Sequence, residues 1–147
     1  MNEAYLVRTE TIQNVVENGA VTGFQFNVRN PGYRGCFLSL VNGYYVELDG
    51  VEFPQEDITF TINGKSPRSF AELYTCCMET WNFDDEAVIT VKKPGGIAPG
   101  AHTLVVQPSI IDQYGYAHHD EEWVKNPPKP GAAIGKVRSM GKYEFTL

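Results

Sequence analysis

The sequence has little cysteine, no cluster of basic residues, no long apolar run and almost no helical periodicity, and each shortage removes a class of function. Three cysteines, Cys36, Cys76 and Cys77, are an odd number in a chain of 147 residues, and the adjacent pair lacks the two-residue gap of a CxxC zinc or redox motif. They read as reduced thiols that behave as small hydrophobes. The 12 basic residues are scattered and outnumbered by 18 acidic ones, for a formal net charge of -6. Nothing makes the electrostatic footprint that a phosphate backbone requires, so no nucleic acid is expected as a partner. No stretch approaches the roughly 20 apolar residues that span a bilayer. Met1-Asn2-Glu3-Ala4 carries an acidic residue and no apolar targeting core. A soluble, cytoplasmic protein with no membrane association is expected.

What the sequence does have is period-two alternation, the pattern of strands with one buried face. Phe24, Phe26 and Val28 alternate with Gln25, Asn27 and Arg29, which places the aromatics in the core and Arg29 on the opposite face at a strand end. Tyr5 and Val7 alternate with Leu6 and Arg8, and Tyr44, Val46 and Leu48 with Tyr45, Glu47 and Asp49. Asp49-Gly50 then supplies the two positive φ angles of a tight hairpin turn. Ile58, Phe60 and Ile62 line one face of the next strand, and Asn63-Gly64 predicts a second hairpin. Ser69 and Glu72 stand at capping-box spacing and predict one helical turn. Beyond it, "ETWNF", "AVITVKK" and "HTLVVQ" read as strands, and "PGGIAPG" at 94–100 as a loop. Periodicity weakens from 108 to 140, which predicts a long Pro/Gly-rich loop. It returns in the closing "KYEFTL", expected to pair within a sheet.

Eight or nine short strands separated by turns rich in Gly, Pro, Asn and Asp predict an all-β fold, an antiparallel β-sandwich or jelly roll. A length of 147 residues suits a single domain spanning 1–147.

Candidate chemistry is sparse. "YAHHDEEW" at 116–123 holds residue types that bind zinc or manganese. Adjacent residues of an extended chain point to opposite sides, however, so His118 and His119 do not reach one ion without a bend. No metal site is assigned; loop polarity or contact with a partner chain accounts better for His118, His119 and Trp123. His102, following Gly100, reads as a structural donor rather than a base. Asp84, Asp85 and Glu86 fall in a turn, where acidic residues are expected in any case. With no GxSxG elbow, phosphate loop or HExxH, no catalytic residue is assigned.

The turn Asn30-Pro31-Gly32 is the exception, because arginines frame it. Pro31 restrains Asn30 toward extended geometry and Gly32 permits a turn of either hand, so the loop should be rigid. It would present Arg29, Tyr33 and Arg34, residue types enriched at binding hot spots. The competing account is an internal ion pair from one arginine to a carboxylate such as Glu47 or Asp49.

The segments "TGFQFNVRNPGYRGCFLSL", "VELDG", "ITFTINGK", "WNF" and "VKKPGGIAPGAHTLVV" resemble, in order and approximate spacing, the small (beta) subunit of C-glycoside deglycosidase. The resemblance covers about residues 20–107. It implies a non-catalytic subunit of a carbon-carbon lyase complex, inactive alone and bound to a TIM-barrel alpha subunit similar to sugar isomerases and epimerases. In such a complex a 3-oxo-C-glucoside, made from an aryl or flavonoid C-glucoside by a separate oxidoreductase, is deprotonated at C2 and loses its aglycone. A divalent metal, manganese, and the base belong to the alpha subunit, with no cofactor on this chain. The resemblance makes Arg29, Pro31, Tyr33 and Arg34, with His118, His119 and Trp123, candidates for the subunit interface or for contact with substrate. Two further readings compete. A stand-alone carbohydrate-binding jelly roll would stack sugars on Tyr44, Tyr45, Trp81 or Trp123. A cupin-like metal enzyme would need strand-borne histidines at usable spacing, which are missing.

Overall fold

A computed structural model describes residues 6–30, 36–82, 84–110 and 141–147 of the chain. Strand order along the chain is β1 (Val7–Glu17), β2 (Ala20–Arg29), β3 (Cys36–Phe37), β4 (Val41–Leu48), β5 (Val51–Glu52), β6 (Ile58–Thr61), β7 (Thr80–Trp81), β8 (Glu86–Lys92), β9 (Ala101–Ile110) and β10 (Gly141–Thr146), with one short helix, α1 (Phe70–Leu73). They form two four-stranded sheets, β1-β2-β8-β6 and β10-β9-β4-β5, plus the ribbon β3-β7. Every pairing is antiparallel. The fold is all-β, as the alternation predicts.

The two sheets meet through the residues that alternation selects. Phe24, Phe26 and Val28 of β2 and Ala87, Ile89 and Val91 of β8 are buried from the first sheet. Tyr44, Val46 and Leu48 of β4, with Leu104 and Val106 of β9, are buried from the second. Trp81 is fully enclosed and meets Phe60 edge-on, with ring centroids 5.2 Å apart. Aromatic pairs of this geometry stabilise beyond the area they bury.

Local chemistry sets the turns. Asp49 and Gly50 both have positive φ, at 50° and 86°, and close the β4–β5 hairpin. Asn18 and Gly19, at 52° and 79°, do the same between β1 and β2, a hairpin dipeptide that the alternation reading passes over. Ser69 caps α1 through both bonds of a capping box: its hydroxyl accepts from the Glu72 amide at 3.2 Å, and the Glu72 carboxylate accepts from the Ser69 amide at 2.9 Å.

Three expectations need correction. Asn63-Gly64 does turn the chain, with φ of 57° and 70°, but no second strand of a hairpin follows. Only a single bridge, Phe60 to Arg68, forms there, and β6 takes β8 as its partner. The "ETWNF" strand shrinks to Thr80–Trp81. Finally, β9 does not stop before Pro108 but runs through it to Ile110.

A proline survives in that strand for a specific reason. Pro108 lies opposite Tyr44, whose backbone N–H and C=O turn away from β9 and bond the side-chain amide of Gln55, at 3.0 and 2.6 Å. The ladder therefore asks for no N–H from Pro108 on that side. On its other side β10 begins opposite Val106, so no described strand lies there to receive one.

One ion-pair cluster ties the α1 region to β7. Glu79 receives Arg68 Nη1 and Nη2 on its two oxygens at 3.0 and 2.8 Å, Lys65 Nζ at 2.7 Å and the Asn63 amide at 3.0 Å. The Arg68 fork holds the Glu79 carboxyl far below the usual carboxylate range, with Lys65 and Asn63 adding to it. Arg68 and Glu79 are 15% and 17% exposed, so removing one partner strands a largely desolvated charge. Glu79→Ala is expected to destabilise the fold by about 2–3 kcal/mol in urea denaturation. The contribution of the pair should be complete above the ordinary glutamate pKa and decline as pH falls toward the depressed value.

Candidate functional site at the end of strand β2

Arg29 closes β2 opposite Glu86, the first residue of β8. Its amide donates to the Leu6 carbonyl at 2.8 Å, which fixes the strand end against the start of β1. Strand parity puts Arg8, Asn27, Arg29 and Glu86 on the outward face of the first sheet, as the alternation reading requires for Arg29. There Arg8 Nη1 donates to both Glu86 oxygens at 3.1 and 2.9 Å, Asn27 adds a bond at 3.0 Å, and Arg8 Nε reaches Glu10 at 2.7 Å. Burial pushes the Glu86 carboxyl up, but the bonds from Asn27 and Arg8 and the charges of Arg8 and Arg29 outweigh it and hold the group ionised. Glu10 is lowered by its own backbone amide first, then by Arg8, with a smaller effect from Arg29.

The carboxylates nearest in effect to Arg29 are not the two named for an internal pair, and Arg34, the other arginine of that account, lies outside the described residues. Glu10 and Glu86 feel its charge, whereas Glu47 and Asp49 belong to β4 and its turn in the other sheet. Glu47 accepts from the Tyr45 hydroxyl at 2.8 Å, and Asp49 is engaged by His102.

The register of β1 is broken where this cluster forms. Pairing shifts between Arg8 and Gln13, and Thr11 fills the gap: its hydroxyl donates to the Arg8 carbonyl at 2.6 Å and accepts from the Asn27 amide at 2.8 Å. A side chain thereby stands in for a missing rung.

Asn30 is the structural surprise. It is 1% exposed, and its side-chain amide donates to the Trp81 carbonyl at 2.9 Å. Beyond residues 31–35, Cys36 pairs in register with the same Trp81. Asn30 and Cys36, the described residues on either side of 31–35, are therefore both fastened to one residue of β7. Trp81 is itself oriented by its indole N–H, which donates to the Asp85 carbonyl at 2.8 Å. Sequence reading misses this attachment, because nothing local connects Asn30 to a residue 51 positions away.

Of the predicted site residues, Arg29 is placed as described; Pro31, Tyr33, Arg34, His118, His119 and Trp123 lie outside the described residues. His102 is the structural donor anticipated, with ring nitrogens 2.6 Å from Asp49 and 2.7 Å from the Ala98 carbonyl. Among the described residues, no group of three or more His, Cys, Asp or Glu side chains comes together to hold a metal ion. No helix among them is long and apolar enough to cross a membrane.

Among the described residues, the candidates for sugar stacking give that reading little support. Tyr44 and Trp81 are buried. Tyr45 lines an open depression with Glu47, Asp49, Thr103, Val105 and Lys142, and its hydroxyl is pushed up to about 12, by burial first and then by the bond to Glu47.

Comparison with known proteins places this architecture. The family model for the C-glycoside deglycosidase beta subunit matches residues 2–114, wider on both sides than the motifs read from sequence. A C-glycoside deglycosidase beta subunit from Eubacterium cellulosolvens is 37% identical over 103 residues, covering 69% of each chain. One from Arthrobacter globiformis is 31% identical over 103 residues, covering 67% of this chain and 78% of its own. With the match running through β1 to β9, the chain belongs to the C-glycoside deglycosidase beta subunit family.

Proposed function

We propose that this chain is the accessory subunit of a heteromeric C-glycoside deglycosidase and that its segment from Arg29 to Arg34 docks on the larger subunit near the active-site mouth. The observation that supports the reading is the attachment of both Asn30 and Cys36, which bracket residues 31–35, to Trp81, within the span shared with the family. Fixing the two flanking residues lowers the entropy lost when the segment between them binds a partner. Arg29, Pro31, Tyr33 and Arg34 then serve as recognition residues, and His118, His119 and Trp123 as further contacts beyond the family match.

The reaction proposed for the complex is a carbon-carbon elimination from a 3-oxo-C-glucoside. The 3-oxo group acidifies the C2 proton and a base on the larger subunit removes it. The C2–H electron pair becomes the C1=C2 double bond, the C1–aryl bond breaks, and the aryl carbon takes up a proton. The larger subunit, a TIM barrel in this proposal, carries the base and a divalent metal, manganese, which polarises the 3-oxo carbonyl when bound. This chain contributes binding and orientation, and no reaction step is assigned to its residues.

The test is to produce the chain with and without the larger subunit and assay cleavage of a 3-oxo aryl C-glucoside in the presence of manganese. Turnover is expected only for the co-purified pair. Arg34→Ala should reduce association or turnover while the circular dichroism spectrum of the isolated chain stays unchanged. Failure of the chain to associate with any larger subunit, together with glycan binding by the chain alone, would overturn the proposal.

A further inference from the structure

We propose that His102 is held as an imidazolium and acts as a pH-sensitive clasp, fastening the 94–100 loop to the β4–β5 hairpin turn. The geometry is specific. His102 Nδ1 lies 2.6 Å from Asp49 Oδ2, and Nε2 lies 2.7 Å from the Ala98 carbonyl oxygen. A carboxylate and a carbonyl both accept hydrogen bonds, and a neutral imidazole has only one N–H to give. Only the protonated ring satisfies both contacts while Asp49 is ionised.

The alternative, a proton on Asp49 and a neutral ring donating to Ala98, runs against intrinsic basicity. An ordinary imidazole titrates near 6.5 and an ordinary aspartate near 3.9. Asp49 is also 47% exposed at its side chain, and its second oxygen already accepts from the Thr103 amide at 2.8 Å. The proton belongs on the histidine.

The neighbours of the ring can be read element by element. From the hairpin turn comes the Asp49 carboxylate, which raises the imidazole pKa most, followed by the Ala98 carbonyl of the loop. Lys93, at the foot of that loop, opposes them with its positive charge; its ammonium is tied to the Gly96 carbonyl at 2.8 Å. From β10 comes the Phe145 ring, with its centroid 5.7 Å from that of His102, near enough for its π face to favour a cation. Glu144, next along β10, pairs in register with Thr103 rather than His102.

The clasp holds something worth holding. The loop has no strand ladder of its own and is fixed at separate points: Asn14 bonds both the N–H and C=O of Ile97, at 2.7 and 3.0 Å, and Gly100 exchanges two backbone bonds with Leu147. Ala98 lies between these points and is secured through His102. On the other side, Asp49 and Thr103 exchange backbone and side-chain bonds, so the ring ties the loop to the β4–β9 seam.

The direction of the pH dependence follows. A histidine raised above its ordinary pKa contributes stability that is complete below about 6.5 and is lost as pH rises through the folded value. Asp49 is lowered, chiefly by the His102 bond and then by the Thr103 amide, so its contribution is lost only as pH falls below the usual aspartate range. The clasp is closed in the window between the two.

The experiment is a ring-nitrogen NMR titration of His102 in the full chain, assigned with His102→Gln, alongside amide exchange of the loop. His102 should titrate above 6.5, and Asp49→Asn should bring it down. Protection of the Ile97 and Gly100 amides, corrected for intrinsic exchange, should fall through the titration by about tenfold for each unit that the midpoint lies above the ordinary value. A midpoint at or below 6.5, or protection that ignores the titration, would overturn the proposal. Should His102→Gln fail to fold, the wild-type titration compared with Asp49→Asn still decides the matter, with His102 then assigned through its contact to Phe145.

Discussion

Gly23→Ala is expected to be the most damaging single-methyl change in this chain. Gly23 sits in the middle of β2, paired with Lys92 of β8, and a Cβ there would run into the backbone carbonyl of Val91, with the Lys93 amide also crowded. A flexible side chain could move aside, but the obstacle is the backbone of a central strand. Relief requires β2 and β8 to separate where Phe24 and Val91 meet in the core. The loss should be about 3 kcal/mol or more. In a protein of this size each kcal/mol lowers Tm by roughly 3 °C, so thermal unfolding should shift down by about 10 °C. Gly19→Ala is a control, since its Cβ meets nothing within 4 Å and only the positive φ is strained.

Trp81→Ala should rank with it. The indole is fully buried, stacks edge-on against Phe60 and donates to the Asp85 carbonyl. Truncation removes the ring's transfer energy and leaves a large cavity between the sheets, a loss of about 3–5 kcal/mol. Trp81→Phe separates the two contributions: it keeps most of the volume, deletes the N–H and should lose about 1 kcal/mol. Because the Asn30 bond goes to the Trp81 backbone carbonyl, that bond survives both substitutions as long as β7 stays in place. Equilibrium urea denaturation distinguishes the variants. Comparable midpoints for Trp81→Ala and Trp81→Phe would show that the cavity collapses.

Much of the fold is legible wherever a residue's role depends on near neighbours in the chain. The alternation of Phe24, Phe26 and Val28 names the core face of β2, Asp49-Gly50 names a hairpin, and Ser69 with Glu72 names a helix start; all three are local effects. Illegibility begins where partners are distant. Arg8 meets Glu86 across 78 residues, and no pattern near either one announces the other. Asn63-Gly64 shows a subtler failure: the dipeptide bends the chain as its φ preference dictates, yet turn chemistry does not decide which strand pairs with β6. Alternation marks only the beginning of β1, because Val7 and Ile12 alone are buried along it and its register is interrupted, which blurs the period that such a reading relies on. At the candidate site, residue types point to the segment from Arg29 to Arg34, while the buried Asn30 that bonds Trp81 is of a type normally assigned to the surface.

The Gln55 side chain that bonds Tyr44 has a consequence for how this protein meets other chains. It occupies both backbone groups of Tyr44 beyond the short β5, so this stretch of sheet margin is already sealed. An unsealed margin is an invitation to intermolecular pairing and aggregation. Here one glutamine acts as a one-residue counterfeit strand, and a newcomer cannot zip onto β4 without first evicting it. A partner that approaches this margin is thus turned toward recognition by side chains, and away from extending the sheet.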